Sequence, residues 1–136
     1  MKSKVLIIED EPDLCRVFRL ALERGGYSVR HAFNGLSGLE ESKRWGPDLI
    51  LLDVTLSDIS GLALLPLLRR MSRTPVILMS GRGAPEDIAL GRVNGAQDYI
   101  VKPFSLEALL SRVRLALRRP PLDSSARAEC GSRRSS

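Results

Sequence analysis

The sequence predicts an α/β fold: a doubly wound parallel sheet of five strands in the order 2-1-3-4-5, with helices on both faces. Two observations carry this. Five short runs rich in branched apolar residues recur along residues 1–118, and three of them are almost continuously apolar, as strands buried on both faces of a parallel sheet must be. The stretches between them have helical length and period, and strand–helix alternation with short connections implies right-handed crossovers onto one parallel sheet. The chain's 136 residues match the size of a single domain.

The first run is Lys4–Ile8 (KVLII). A helix follows, with Pro12 in its first turn, where a missing N–H costs nothing, and Gly25-Gly26 at its end. Tyr27–His31 is the second strand, and the helix after it closes near Trp45, which reads as packing against a loop. Asp48–Leu52 (DLILL), Pro75–Met79 (PVILM) and Asp98–Val101 (DYIV) complete the set of strands. The last helix is the clearest: Leu106, Leu109, Leu110, Val113 and Leu117 form a single apolar stripe. Ser105 is placed to cap it, and Pro120-Pro121 to stop it. Cys15 reads as core packing within the first helix, and His31 as a polar end to the second strand without a partner.

Composition excludes several classes. With 43 % apolar and 27 % charged residues the chain is neither collagen-like nor wholly disordered. It has no apolar run long enough for a membrane helix or a signal-peptide core, so the expectation is a cytoplasmic protein with no membrane partner. Cys15, Cys130 and His31 share no metal-type spacing, which argues against a zinc site or a disulfide framework. The net charge of +5 resembles a nucleic-acid signal until it is located. Residues 1–117 carry 16 Lys/Arg against 14 Asp/Glu, whereas the last nineteen residues carry five Arg against Asp123 and Glu129. That Ser/Pro/Arg-rich end cannot bury a core and reads as a disordered basic tail or linker over residues 119–136, following a domain over 1–118. Scattered arginines supply only weak, salt-sensitive attraction to polyanions, so no direct nucleic-acid binding is expected.

In an open sheet of this order, ligands bind beyond the carboxyl ends of the strands at the switch point between strands 1 and 3. Glu9, Asp10 and Glu11 follow the first strand, Asp53 the third, Ser80-Gly81 the fourth and Lys102-Pro103 the fifth. Glu9, Asp10 and Asp53 would therefore converge, and carboxylates that close repel unless a cation joins them. With oxygen ligands only, a hard ion fits best, meaning Mg²⁺ or Mn²⁺. A divalent ion together with Lys102 would neutralise the three acids. Such surroundings suit phosphoryl transfer, with Asp53 as nucleophile, Lys102 and the ion on the phosphoryl oxygens, and Ser80 donating a hydrogen bond.

The strings VLIIEDE, LILLDVTLSDISG, VILMSG and GAQDYIVKPF, in this order and spacing, resemble the signatures of the response regulator receiver family, the flavodoxin-like (βα)5 phospho-accepting modules of two-component signalling. The resemblance spans about residues 4–118. It implies that Asp53 is the phosphorylated aspartate, that Asp10, Asp53 and the backbone carbonyl of Thr55 bind Mg²⁺ directly, and that Glu9 holds the ion through water. It likewise matches Ser80 and Tyr99 to the switch pair, Lys102 to the family lysine and Pro103 to a proline after a cis peptide. Phosphorylation would draw Ser80 and Lys102 toward the new oxygens and let Tyr99 rotate, repacking the surface of the fourth helix, fifth strand and fifth helix. A sensor histidine kinase is the implied phosphate donor. The module would catalyse only its own phosphorylation and dephosphorylation.

Some positions depart from the pattern. Glu9 stands where Asp is commoner and Ser57 where Pro is usual, while Thr55 and Arg82 occupy positions that line the path of attacking water and so tune dephosphorylation. The last helix looks most like those of receivers followed by winged-helix DNA-binding domains, which implies transcriptional output through a domain or partner outside these residues. Such receivers pair through the fourth helix, fifth strand and fifth helix, and Asp98 and Arg112 are placed for one intermolecular ion pair there. Gln97 and Ala108 replace acids frequent in that pairing. Two other classes compete. A P-loop ATPase needs GxxxxGK[ST], which is absent, and an aspartyl phosphatase usually has a second acid where Thr55 stands. A pseudo-receiver that only docks proteins is disfavoured because every chemical position holds a competent residue.

Overall fold

The computed structural model describes residues 2–81, 83 and 85–118. Five strands, β1 (Lys4–Ile8), β2 (Ser28–Ala32), β3 (Leu49–Asp53), β4 (Val76–Ser80) and β5 (Asp98–Val101), alternate with five helices. These are α1 (Pro12–Arg24), α2 (Gly35–Trp45), α3 (Gly61–Met71), α4 (Pro85–Val93) and α5 (Leu106–Arg118). All strand pairs are parallel and the order is β2-β1-β3-β4-β5. The predicted fold class and strand order are thus observed. No helix among the described residues is long and apolar enough to cross a membrane. The predicted basic tail and Arg82 lie outside the described residues.

Side-chain alternation along the strands divides the core in two. Val5, Ile7, Leu49, Leu51, Ile77 and Met79 face α1 and α5, where Phe18, Leu22, Leu109 and Val113 meet them. Leu6, Ile8, Ile50, Leu52, Val76 and Leu78 face the other way, onto Leu64, Leu65 and Leu68 of α3 and partly buried residues of α2 and α4. Fully burying one such aliphatic side chain contributes about 1.5–3 kcal/mol, so this double layer fixes the strand register firmly.

The middle three strands begin and end one residue later than the apolar runs. Tyr27 belongs to the end of α1: its N–H reaches Leu22 O and that of Gly26 reaches Glu23 O, with Gly26 at φ 96°, a left-handed residue that ends the helix. Pro75 has no N–H to give the ladder, so it precedes β4 and supplies only its carbonyl, to Ile50. At the other ends, Asp53 pairs with Met79 and Ser80 with Val101, which makes both polar residues the last of their strands rather than the first of the following loops. Helix α1 has no side-chain cap at Glu11, whereas Asn34 and Ser60 cap α2 and α3 and the Ser105 hydroxyl accepts from Ala108 N at 3.0 Å at the start of α5. The α5 stripe turns slightly from its predicted centre, burying Leu109, Val113 and Ala116 while Leu106 stays exposed.

Candidate functional site

The carboxyl ends of β1, β3, β4 and β5 meet at one edge. Parallel pairing of Ile8 with Leu52 brings Glu9 beside Asp53, and Lys102 N donates to Ser80 O at 2.7 Å, continuing β5 alongside the end of β4. Carboxylate oxygens of Glu9, Asp10 and Asp53 all lie within 4.8 Å of one another. Lys102 Nζ reaches across to Glu9 Oε1 at 3.0 Å and Asp53 Oδ2 at 3.5 Å. The other Asp53 oxygen accepts from Thr55 N at 3.1 Å, and the second Glu9 oxygen from Glu11 N at 3.3 Å.

Burial gives this cluster its character. The side chains of Glu9 and Asp53 are only 2 % and 5 % exposed, against 24 % for Lys102. Burial, and then the proximity of Asp53, push the Glu9 carboxyl up to about 7, against the opposing pull of Lys102. For Lys102, burial disfavours the ammonium, but the hydrogen bond to Glu9 and the charges of Asp53 and Glu9 outweigh it and hold its pKa above the ordinary range. Three acids against one ammonium leave a net negative, largely dry pocket of hard oxygen donors. That donor set fits a divalent ion of the Mg²⁺ type.

Ser80 is buried at the end of β4, and a Cβ on the neighbouring Gly81 would meet no atom within 4 Å, so the space above it is open. Tyr99 is also buried, its ring against Gly91 of α4. The Lys102–Pro103 peptide is cis. Thr55 is exposed in the loop after β3. Gly61 packs directly on that turn, since a Cβ there would stand 2.3 Å from Asp53 O. Cys15 donates its thiol to Glu9 O at 3.2 Å, and burial, followed by the nearby acids, pushes its pKa up to about 12. It is a packed, inert thiol.

Two sequence readings are corrected. His31 does have a partner, Arg19 Nη1 at 3.2 Å from its Nδ1, and burial together with that cation lowers its pKa. Trp45 does not simply cover a loop; Arg30 stacks on its ring at 4.8 Å and Lys4 stands 5.6 Å from the ring centre. Asp98 and Arg112 pair with each other within the chain at 3.0 Å, because β5 and α5 are adjacent. Asp58 was assigned no role, yet its carboxylate accepts from the backbone of Gly35 and Leu36 at the start of α2. Nothing near Asp58 in the chain points to those partners, which are more than twenty residues away.

Comparison with known proteins agrees with this arrangement. Residues 5–114 match the family model described as the response regulator receiver domain. The chain is 48 % identical over 118 residues to the uncharacterized transcriptional regulatory protein YkoG of Bacillus subtilis, covering 86 % of this chain and 52 % of that one. It is 43 % identical over 119 residues to the response regulator ArlR of Staphylococcus saprophyticus, covering 88 % and 54 %. The chain therefore spans about half the length of these relatives. A crystal structure of a two-component response regulator from Clostridium difficile superposes with a TM-score of 0.84 at 31 % identity, over 87 % of this chain and 98 % of that one.

Proposed function

The chain belongs to the response regulator receiver family, and from that premise we propose that it is a Mg²⁺-dependent phospho-accepting switch in which Asp53 takes the phosphoryl group of a histidine-kinase phosphohistidine. The observation that carries this reading is the buried acidic cluster of Glu9, Asp10 and Asp53, spanned by the single ammonium of Lys102. An Asp53 oxygen forms the new bond to phosphorus as the bond from phosphorus to the donor's histidine nitrogen breaks, giving an acyl phosphate. Lys102, already aimed at Asp53, holds charge on the incoming oxygens, and Ser80 donates a hydrogen bond to one of them. Mg²⁺, or Mn²⁺ in its place, held by Asp10, Asp53 and the Thr55 carbonyl with Glu9 beside them, would neutralise further charge there. The chain turns over nothing but its own phosphate, and Thr55 and Arg82 tune the return to the free carboxylate.

Phosphorylation gives Asp53 a charge of roughly −2 and strong acceptor oxygens. Ser80 and Lys102 shift toward them and Tyr99 leaves its place under Gly91, so the α4–β5–α5 face repacks. Two states separated by a few kcal/mol suffice, since about 5.5 kcal/mol turns the ratio over completely. That face is where a second copy or an output partner docks, and the name of the transcriptional regulatory protein YkoG supports a transcriptional output.

The test is intact mass after incubation with acetyl phosphate and Mg²⁺. One phosphoryl adduct is expected in the wild type, and none in Asp53→Asn or with EDTA. An adduct persisting in Asp53→Asn would move the chemistry to another residue. No adduct in the wild type would favour a docking domain that is never phosphorylated.

A further inference from the structure

We infer that Asp58 is a positioning residue for the cation site: its carboxylate latches the loop between β3 and α3 onto the start of α2, and so sets where the Thr55 carbonyl stands relative to Glu9, Asp10 and Asp53. This rests on the reading of that cluster as a Mg²⁺ site. The loop, residues 54–60 (VTLSDIS), contains no proline, so covalent restriction does not fix its path. Its ends are held by Thr55 N on the Asp53 side-chain Oδ1 at 3.1 Å and by Gly61 N on Val54 O at 2.8 Å.

The middle of the loop is held by Asp58. Its Oδ1 accepts from Gly35 N at 2.8 Å and from Ile59 N at 2.9 Å, and its Oδ2 accepts from Leu36 N at 3.0 Å. Gly35 and Leu36 open α2, where backbone N–H groups have no partner within the helix and the helix dipole favours a negative charge. Asn34 already caps α2 through Ser37 N, so the Asp58 bonds are additional and come from the loop's side. The backbone donors of Gly35 and Leu36 hold the Asp58 carboxyl below the usual carboxylate range, which keeps the latch charged at neutral pH. An apolar contact locks the same junction: a Cβ on Gly35 would fall 2.3 Å from Ile59 Cγ2. Polar and apolar contacts thus dock the loop together, three to four residues from the Thr55 carbonyl.

Two variants of the full chain separate positioning from charge. Asp58→Ala removes the latch together with its charge, while Gly35→Ala leaves the charge in place and drives Ile59, and the loop with it, away from α2. Mg²⁺ titration by calorimetry should show the dissociation constant rising about tenfold in both, as for other groups that orient a metal ligand. Exchange of the Gly35 and Leu36 amide protons should quicken in Asp58→Ala, and the rate of phosphorylation by acetyl phosphate should fall at low Mg²⁺ and recover at saturating Mg²⁺. Asp58→Asn, which keeps one acceptor oxygen, should lie between Asp58→Ala and the wild type. Affinities within about twofold of wild type in both alanine variants would overturn the latch while leaving the site reading intact. An effect confined to Asp58→Ala would reduce it to long-range charge and overturn it as well. A wild type that binds no Mg²⁺ would overturn the site reading, and the latch with it.

Discussion

At the amino-terminal end of the sheet, Lys4 donates its backbone N–H to Asp48 at 2.7 Å and its ammonium to Trp45 O at 2.9 Å, while Arg30 bridges to Glu41 at 2.6 Å and Arg44 joins the same carboxylate at 3.0 Å. Lys4, Arg30 and Arg44 there each have a partner and touch solvent. The opposite end gathers three acids against one ammonium and hides two of those acids almost completely. The same five strands supply both ends, so the sheet itself does not dictate the difference. Matched, wetted charges add little to stability and need nothing more. Unmatched, dry charges are costly and are relieved only by a cation or a proton. The second end is therefore the reactive one.

The sharpest way to break this contrast is to take away the ammonium. Lys102→Met leaves Glu9 and Asp53 facing each other in a dry pocket, and in metal-free buffer at neutral pH it should destabilise the fold by about 3 kcal/mol, read by urea unfolding. An unchanged midpoint would show that the acids are not under strain. The pH dependence comes next. Between pH 4.5 and about 7 the folded state keeps a proton on Glu9 that the unfolded chain has already lost, so metal-free stability should fall as pH rises through that window. The slope should approach ~1.4 kcal/mol per pH unit at most, and it should vanish in Glu9→Gln. A slope of the opposite sign would mean that Lys102 dominates the pair. Smaller again is Asp53→Asn, which removes one like charge and should raise metal-free stability by about 1 kcal/mol while abolishing the phosphoryl adduct. Smallest is Arg30→Ala at the other end, where about 0.5 kcal/mol is expected and should shrink in high salt. A loss at Arg30 as large as that at Lys102 would erase the distinction between the two ends.

Most of the fold was legible because β1, β3 and β4 are buried on both faces and read as apolar runs, and because Gly25-Gly26 marks the end of α1. The one-residue offsets arose where burial and hydrogen bonding part company: Tyr27 is apolar but bonded into the end of α1, and Asp53 and Ser80 are polar but still within the ladder. The acids and Lys102 could be placed at one edge because topology alone decides which strand ends adjoin. The ion pair of Asp98 with Arg112 and the stacking of Arg30 on Trp45 depend on side-chain direction, which spacing along the chain does not reveal. Asp58 escaped for another reason. It makes a contact between a loop and the first turn of α2, and the rest of that helix and a whole strand separate the two in sequence.

The stacking of Arg30 and Lys4 around Trp45 also has a practical side. Trp45 is the single tryptophan of the chain, and it sits at the end of the sheet away from the acids, roughly 15 Å from them given ~3.3 Å of rise per strand residue. Its emission should track global unfolding faithfully and stay silent when an ion or a phosphate arrives at the far edge. Binding experiments on this molecule therefore call for a dye or a nuclear-spin label at the far edge, while the native fluorophore serves as an unbiased gauge of how much protein remains folded.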